Sequence, residues 1–155
     1  AIITVPFPDG YWQSDVSFDR FLEAIEKRGL KPENIAGVLM ESYQGVGPDF
    51  APVAYVKQLR EWCDKHKVVL TFDEVQAGFG RTGKFWAFEH YEGANPDLIC
   101  CGKGISSSLP LSAVIGFSGG RITLQETAPG VTVAEVMAVT EADLFIPANV
   151  PEMKV

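Results

Sequence analysis

Two carboxylates and one lysine stand where this sequence can do chemistry. Asp73 and Glu74 close the apolar run VVLTFDE at 68–74, and Lys103 lies between Gly102 and Gly104, just past a second run at 97–101. A carboxylate that ends a buried strand is costly unless it meets a cation or hydrogen-bond donors. Side chains alternate along a strand, so only one of Asp73 and Glu74 points to a given face. A lysine between glycines sits on a loop whose backbone a ligand can approach closely. An acid and a lysine facing one cleft from adjacent strands suit one task. The amine forms a Schiff base with a carbonyl. The acid holds a proton on a heterocyclic nitrogen and makes that ring an electron sink. Pyridoxal phosphate (PLP) needs that pair. Taken singly, the acids read as strand-end caps and Lys103 as a solvated lysine; Gln76, the GFGRTG loop at 78–83 and Lys103 together favour the chemical reading.

A frame must deliver these residues to one place. After the loop Pro6-Phe7-Pro8-Asp9-Gly10, the spacing of Phe18, Phe21, Leu22 and Ile25 predicts an amphipathic helix, with Ser17 as N-cap and Gly29 and Pro32 as its stop. Residues 35–41 (IAGVLME) read as a buried strand, and the Gly- and Pro-containing stretch 42–52 as a loop. Residues 53–66 predict a helix with Val53, Val56, Leu59, Arg60 and Cys63 on one face, and 68–74 a second strand. Strand, helix and strand in this order form a βαβ unit with a right-handed crossover. The near-continuous apolar strands predict that both sheet faces are covered. Further strands are expected at 97–101 and 112–117, with GKGISSSLP between them. In open α/β sheets ligands sit at the carboxyl ends of strands. Glu41, the Asp73-Glu74 pair and the Gly102-Lys103-Gly104 loop all fall there.

The tail differs in character. Only Phe117 and Phe145 are aromatic after residue 116, and the shift marks a boundary near Ser118-Gly119-Gly120. A short strand is expected at 121–125. Thr132 and Glu135 match a capping box that opens a helix running to Thr140, and 143–146 is a last strand candidate. The fold expected is α/β with a mainly parallel sheet over 1–116, followed by a short α+β tail over 117–155.

The stretch FDEVQAGFGRTGKFWAFEHYEGANPDLICCGKGISSSLPLSAVIG at 72–116, with MESYQG at 40–45 and FAP at 50–52, resembles the class III (ω-amino acid type) aminotransferases, and the likeness covers about residues 1–116. The resemblance implies part of a PLP fold type I large domain and a homodimer with its site at the subunit interface. It implies that Lys103 carries the cofactor as a Schiff base and later moves a proton. It places Asp73 on the pyridine nitrogen, Val75 against the ring face and Gln76 on the phenolic oxygen. The implied reaction is ping-pong transfer from an amine or ω-amino acid donor to a 2-oxo acid acceptor; epimerising or decarboxylating relatives would share these cofactor residues. Two positions depart from the family pattern. Val46 stands where glutamate- and ornithine-using members carry an acid, which argues against a carboxylate gate for a substrate arginine. Ser42 stands where a proline is usual. The cofactor's phosphate-binding residues and the substrate arginine do not map onto this chain. Residues 119–147 resemble the C-terminal end of a 3-oxoacid CoA-transferase β subunit, best at APGV-TVAEV. That likeness brings no catalytic residue with it. A catalytically incomplete segment with a structural or interaction role, or a CoA-transferase part, is therefore the alternative.

Composition narrows the partners. The 155 residues carry a net charge of −7, which repels phosphate backbones and argues against nucleic acid. Apolar runs are far short of the ~20 residues that span a bilayer, and no signal-peptide pattern opens the chain; Ala1-Ile2-Ile3-Thr4-Val5 reads as the interior of a longer one. Cys63, Cys100 and Cys101 suit neither a disulfide framework nor a metal site, so a reducing, cytoplasmic setting is expected. Cys100 and Cys101 read as core. His66 reads as a helix-end cation and His90 as packing or surface. GFGRTG also matches a dinucleotide-type glycine pattern, but the acid that should end the next strand is missing: Asp97 begins it. The glycines read as turn formers and Arg81 as a pin for their loop.

Overall fold

The computed structural model describes residues 2–12, 14–105, 113–118 (backbone only), 121–140 and 143–153. Most of the expected Gly/Ser loop (106–110) and the first residue of the expected fourth strand (112) lie outside the described residues.

Five strands form one sheet in the order β1 (Gly37–Glu41), β2 (Val69–Asp73), β3 (Leu98–Cys101), β4 (Ala113–Ser118) and β5 (Arg121–Thr127). β1–β2 and β2–β3 are parallel; β3–β4 and β4–β5 are antiparallel. The expected βαβ unit is present: α2 (Val53–His66) carries the chain from β1 back to β2. Pro52 precedes α2, where a missing N–H costs nothing. Lys67 ends it in the left-handed region at φ 56°, and Val68 N donates to Cys63 O at 2.9 Å, a Schellman-type close. The buried face of α2 is Tyr55, Val56, Leu59, Arg60, Trp62 and Cys63. Val53, expected on that face, is exposed.

α1 (Asp19–Glu26) stacks on α2 through Phe18 on Tyr55 and Phe21 on Trp62, with ring centroids 5.5 and 5.1 Å apart. Ser17 is not its cap. Asp15 Oδ1 takes the Ser17 amide, Phe18 occupies the N-cap position, and no side chain caps the helix. At the other end Gly29, at φ 65°, turns the chain as expected.

Asp97 fixes where β3 starts. Its carboxylate accepts from Leu70 N at 2.7 Å and from Arg60 Nη1 at 2.9 Å, so helix, second strand and third strand meet at one side chain. Arg60 also pairs with Asp64 at 2.7 Å.

The expectation that both sheet faces are covered is overturned. Val38, Met40, Leu70, Phe72, Ile99 and Cys101 alternate onto the covered face. On the other face, among the described residues, Leu39 is 63% exposed and Val69 39%. Apolar composition shows that a strand is fit for burial, not that this segment contributes both covers. Cys101 is core, as expected, whereas Cys100 lies half-buried on the open face beside Asp73.

In the tail, Thr132 Oγ1 accepts from Glu135 N, and the Glu135 carboxylate takes Thr132 N, so the capping box opens α3 (Val133–Val139) as expected. Residues 143–146 are not a strand. Phe145 makes one parallel bridge to Thr123, and Glu152 another to Thr127. These two bridges shield the outer edge of β5, which otherwise offers unpaired backbone groups to other chains. No helix among the described residues is long and apolar enough to cross a membrane.

Candidate active site

The carboxyl ends of the three parallel strands lie side by side. Glu41 pairs in register with Asp73, and Asp73 with Cys100. By strand alternation these three share the open face. Glu74 turns the opposite way and is fully buried, so the two adjacent acids separate as expected.

Beyond the strands, two loops meet. Asp73 Oδ1 accepts from Val75 N at 2.9 Å, which bends the chain out of β2. Gln76 follows, and its Oε1 accepts from Lys103 Nζ at 3.0 Å. Val75 lies against Gly102: a Cβ on that glycine would stand 3.3 Å from Val75 Cγ1. Gln76 lies across Gly45, where a Cβ would come within 2.7 Å of its amide atoms. Glu41 Oε2 holds that loop by accepting from Gly45 N at 2.8 Å. Lys103 adopts a left-handed φ of 44° and the facing Phe79 one of 58°. Such conformations cost of order 1–3 kcal/mol each in side-chain-bearing residues and gather at functional sites.

A cavity of about 590 Å³ opens here, lined by Tyr43, Gly45, Pro48, Gln76, Gly78, Phe79, Gly80, Arg81, Lys103 and Gly104. Of the four residues named from sequence, Lys103 and Gln76 line it and touch. Val75 reaches Lys103's neighbour Gly102. Asp73 is the register partner of Cys100 and does not line the cavity. Sequence reasoning passed over Tyr43 and Phe79, and it misjudged Arg81. Among the described residues Arg81 makes no hydrogen bond or ion pair, so it pins nothing; it is an exposed cation that lines the same cavity as Lys103. An arginine within the glycine-rich loop at 78–83 was the available signal. His90 is a surface residue as expected: its Nε2 lies 3.1 Å from Thr82 O and its ring packs on Phe50.

The local electrostatics follow burial. Burial raises the Glu74 carboxyl above its ordinary value, against the lowering effect of its hydrogen bonds from Ser42, Ala87 and Phe88. Burial, and then the Asp73 charge, raise the Cys100 thiol. Burial pushes the Cys63 thiol up to about 11, so neither is a poised nucleophile. No group of three or more His, Cys, Asp or Glu among the described residues can hold a metal ion.

The donor set matches what PLP presents. A primary amine and an amide line the cavity, and a carboxylate and a branched apolar side chain stand at the neighbouring strand end, the kinds of group that PLP requires. Gly45 and Gly102 leave room for the Gln76 amide and the Val75 side chain, two of the groups in that set.

Comparison with known proteins agrees on the family. The model of the class-III aminotransferases matches residues 1–127, so this chain belongs to that family, and the likeness extends past 116 into β5. The chain is 40% identical over 123 residues to a 4-aminobutyrate aminotransferase of Mycobacterium leprae, a match covering 75% of this chain and 27% of that protein. It is 38% identical over 126 residues to an isoleucine 2-epimerase of Lentilactobacillus buchneri, covering 75% and 28%. Among solved structures, an S-selective transaminase from Arthrobacter sp. superimposes with a TM-score of 0.57 at 43% identity, over 64% of this chain and 21% of that one. The chain therefore spans about a quarter of the length of these curated relatives. The CoA-transferase likeness of 119–147 stays an expectation from sequence.

Proposed function

We propose that this chain forms the lysine-bearing part of a PLP-dependent aminotransferase that moves an amino group from a primary amine or ω-amino acid to a 2-oxo acid. The observation that carries the reading is the Lys103 Nζ to Gln76 Oε1 hydrogen bond at the mouth of the cavity, with Val75 packed on Gly102 beside it. When bound, PLP supplies an aldehyde that captures amines and a ring that accepts electrons. Lys103 Nζ would be the group that holds the cofactor and would serve as the proton carrier beside it. Asp73 would keep a proton on the ring nitrogen. Gln76 would offer its amide N–H to the phenolic oxygen. Val75 would shield one ring face from water. These residues serve transamination and epimerisation alike, and the choice between them lies with substrate contacts rather than with these four residues.

A homodimer with the site at the subunit interface and a cytoplasmic location belong to the same proposal; the family and three free cysteines support them. So does a division into an aminotransferase segment at 1–116 and a tail at 117–155. The scarcity of aromatic residues after 116 supports that division, although β4 and β5 pair in one sheet across it and the family match carries on to 127. The bare sheet face, with Leu39 63% exposed, favours a second reading for these residues taken alone: a catalytically incomplete structural or interaction segment. The visible spectrum of the protein with added PLP separates the two. The enzyme reading expects a band displaced from that of free PLP and lost in Lys103→Ala. A spectrum unchanged from free PLP overturns it.

A further inference from the structure

Glu74 is a fully buried acid that the chemistry above leaves unused. Its Oε1 accepts from Ser42 Oγ at 2.6 Å and from Phe88 N at 2.8 Å, and its Oε2 accepts from Ala87 N at 2.9 Å. Its backbone is held as well: Glu74 N donates to Cys100 O at 2.8 Å, and Glu74 O accepts from Gly78 N at 2.9 Å. One residue thus joins the ends of β1 and β2, the backbone of β3 and the short 3-10 turn Ala87–His90. Ser42 is equally buried, and its carbonyl accepts from Tyr91 Oη at 2.6 Å.

The clamp leads to the site on two sides. Asp73 is the preceding residue, and Gln76 leaves the same turn. On the other side Trp86, next to Ala87, packs on Phe79 with ring centroids 5.0 Å apart, and Phe79 presses on Gly104 beside Lys103. A buried carboxylate is a poor way merely to stabilise a fold, because apolar residues of the same size usually do as well or better. What it offers over them is direction: three donors aimed at two oxygens fix one geometry.

We infer that Glu74, held by Ser42 and the Ala87 and Phe88 amides, is a positioning residue that sets the reach of Asp73 and Gln76 toward the cofactor. The inference rests on the proposed cofactor reading. Ser42 makes it particular to this chain, since the proline usual at that position has no hydroxyl to donate.

The test is made on the full-length protein, with PLP as the probe and two readouts: the PLP dissociation constant, and the pH midpoint of the bound cofactor's absorbance. Glu74→Gln puts an amide N–H against a backbone donor, and Ser42→Ala removes the hydroxyl. The expected result is an affinity loss of about tenfold for Glu74→Gln and a smaller one for Ser42→Ala, since a hydrogen bond to a charge is worth about that factor. Both variants also move the pH midpoint, because Asp73 no longer meets the ring nitrogen in the same way. Val56→Ala, a core truncation in α2, controls for general loosening and should leave the midpoint in place. If Glu74→Gln does not fold, Ser42→Ala decides alone. Wild-type affinity and midpoint in the variants, or an equal midpoint shift in Val56→Ala, overturn the inference while leaving the cofactor reading intact. Failure of the wild type to bind PLP removes both.

Discussion

Lys103 Nζ and Gln76 Oε1 lie 3.0 Å apart, joining the loop after β3 to the loop after β2 across the ends of two parallel strands. The contact exists because Gly45 leaves room for the Gln76 amide and because Lys103 accepts a left-handed backbone that turns its side chain out of the strand line. Parallel pairing brings the strand ends level, and the two loops carry the functional groups the last few ångströms.

Gly45→Ala is expected to weaken PLP binding while sparing the fold. The new Cβ would stand 2.7 Å from the Gln76 amide atoms, and a flexible side chain moves more readily than backbone. Gln76 then leaves Lys103, and the dissociation constant for PLP should rise by about tenfold, the worth of one charge-assisted hydrogen bond. Titration with PLP beside a thermal melt checks this. Unchanged affinity contradicts it.

Gly78→Ala should act the other way, on stability first. A Cβ there meets Trp86 Cζ3 at 2.8 Å and the Glu74 carbonyl at 2.9 Å, and the second is backbone. Overpacking of this kind costs about 1–3 kcal/mol. Chemical denaturation of wild type and variant measures the loss, and a neutral variant contradicts the packing described.

Glu74 makes stability depend on pH with a definite sign. Its folded pKa lies above the ordinary 4.5, chiefly through burial. In the window from that ordinary value up to the raised one, the native state binds more protons than the unfolded state, so stability falls as pH rises. Above the raised value the penalty is constant. The difference between the pH–stability curves of wild type and Glu74→Gln should therefore slope downward across that window and flatten beyond it. A difference curve that rises with pH contradicts the assignment.

Much of this was legible in the sequence. α2 runs over the residues expected, 53–66, because the Gly- and Pro-containing stretch before it and the apolar spacing within it are local signals. Thr132 and Glu135 announced their capping box for the same reason. Lys103 stood out between two glycines at a strand end, and Val75 and Gln76 came from the family resemblance; the structure adds the hydrogen bond and the glycine gaps. Non-local partners decided what was missed. Ser42 looked like a neutral replacement until its hydroxyl met Glu74, which lies 32 positions away in the sequence. Ser17 looked like a cap until Asp15 took its amide. Leu39 and Val69 looked buried because an apolar strand does not say which of its covers the same segment supplies. The run at 143–146 had a strand's composition but found a single bridge on β5.

The central claim is that Lys103 is the amine that holds the cofactor. Full-length protein incubated with PLP, reduced with borohydride and digested should yield a cofactor-bearing peptide whose modified residue, by mass spectrometry, is Lys103. No adduct, or one spread over surface lysines such as Lys57 and Lys84 with Lys103 unmodified, would contradict the account.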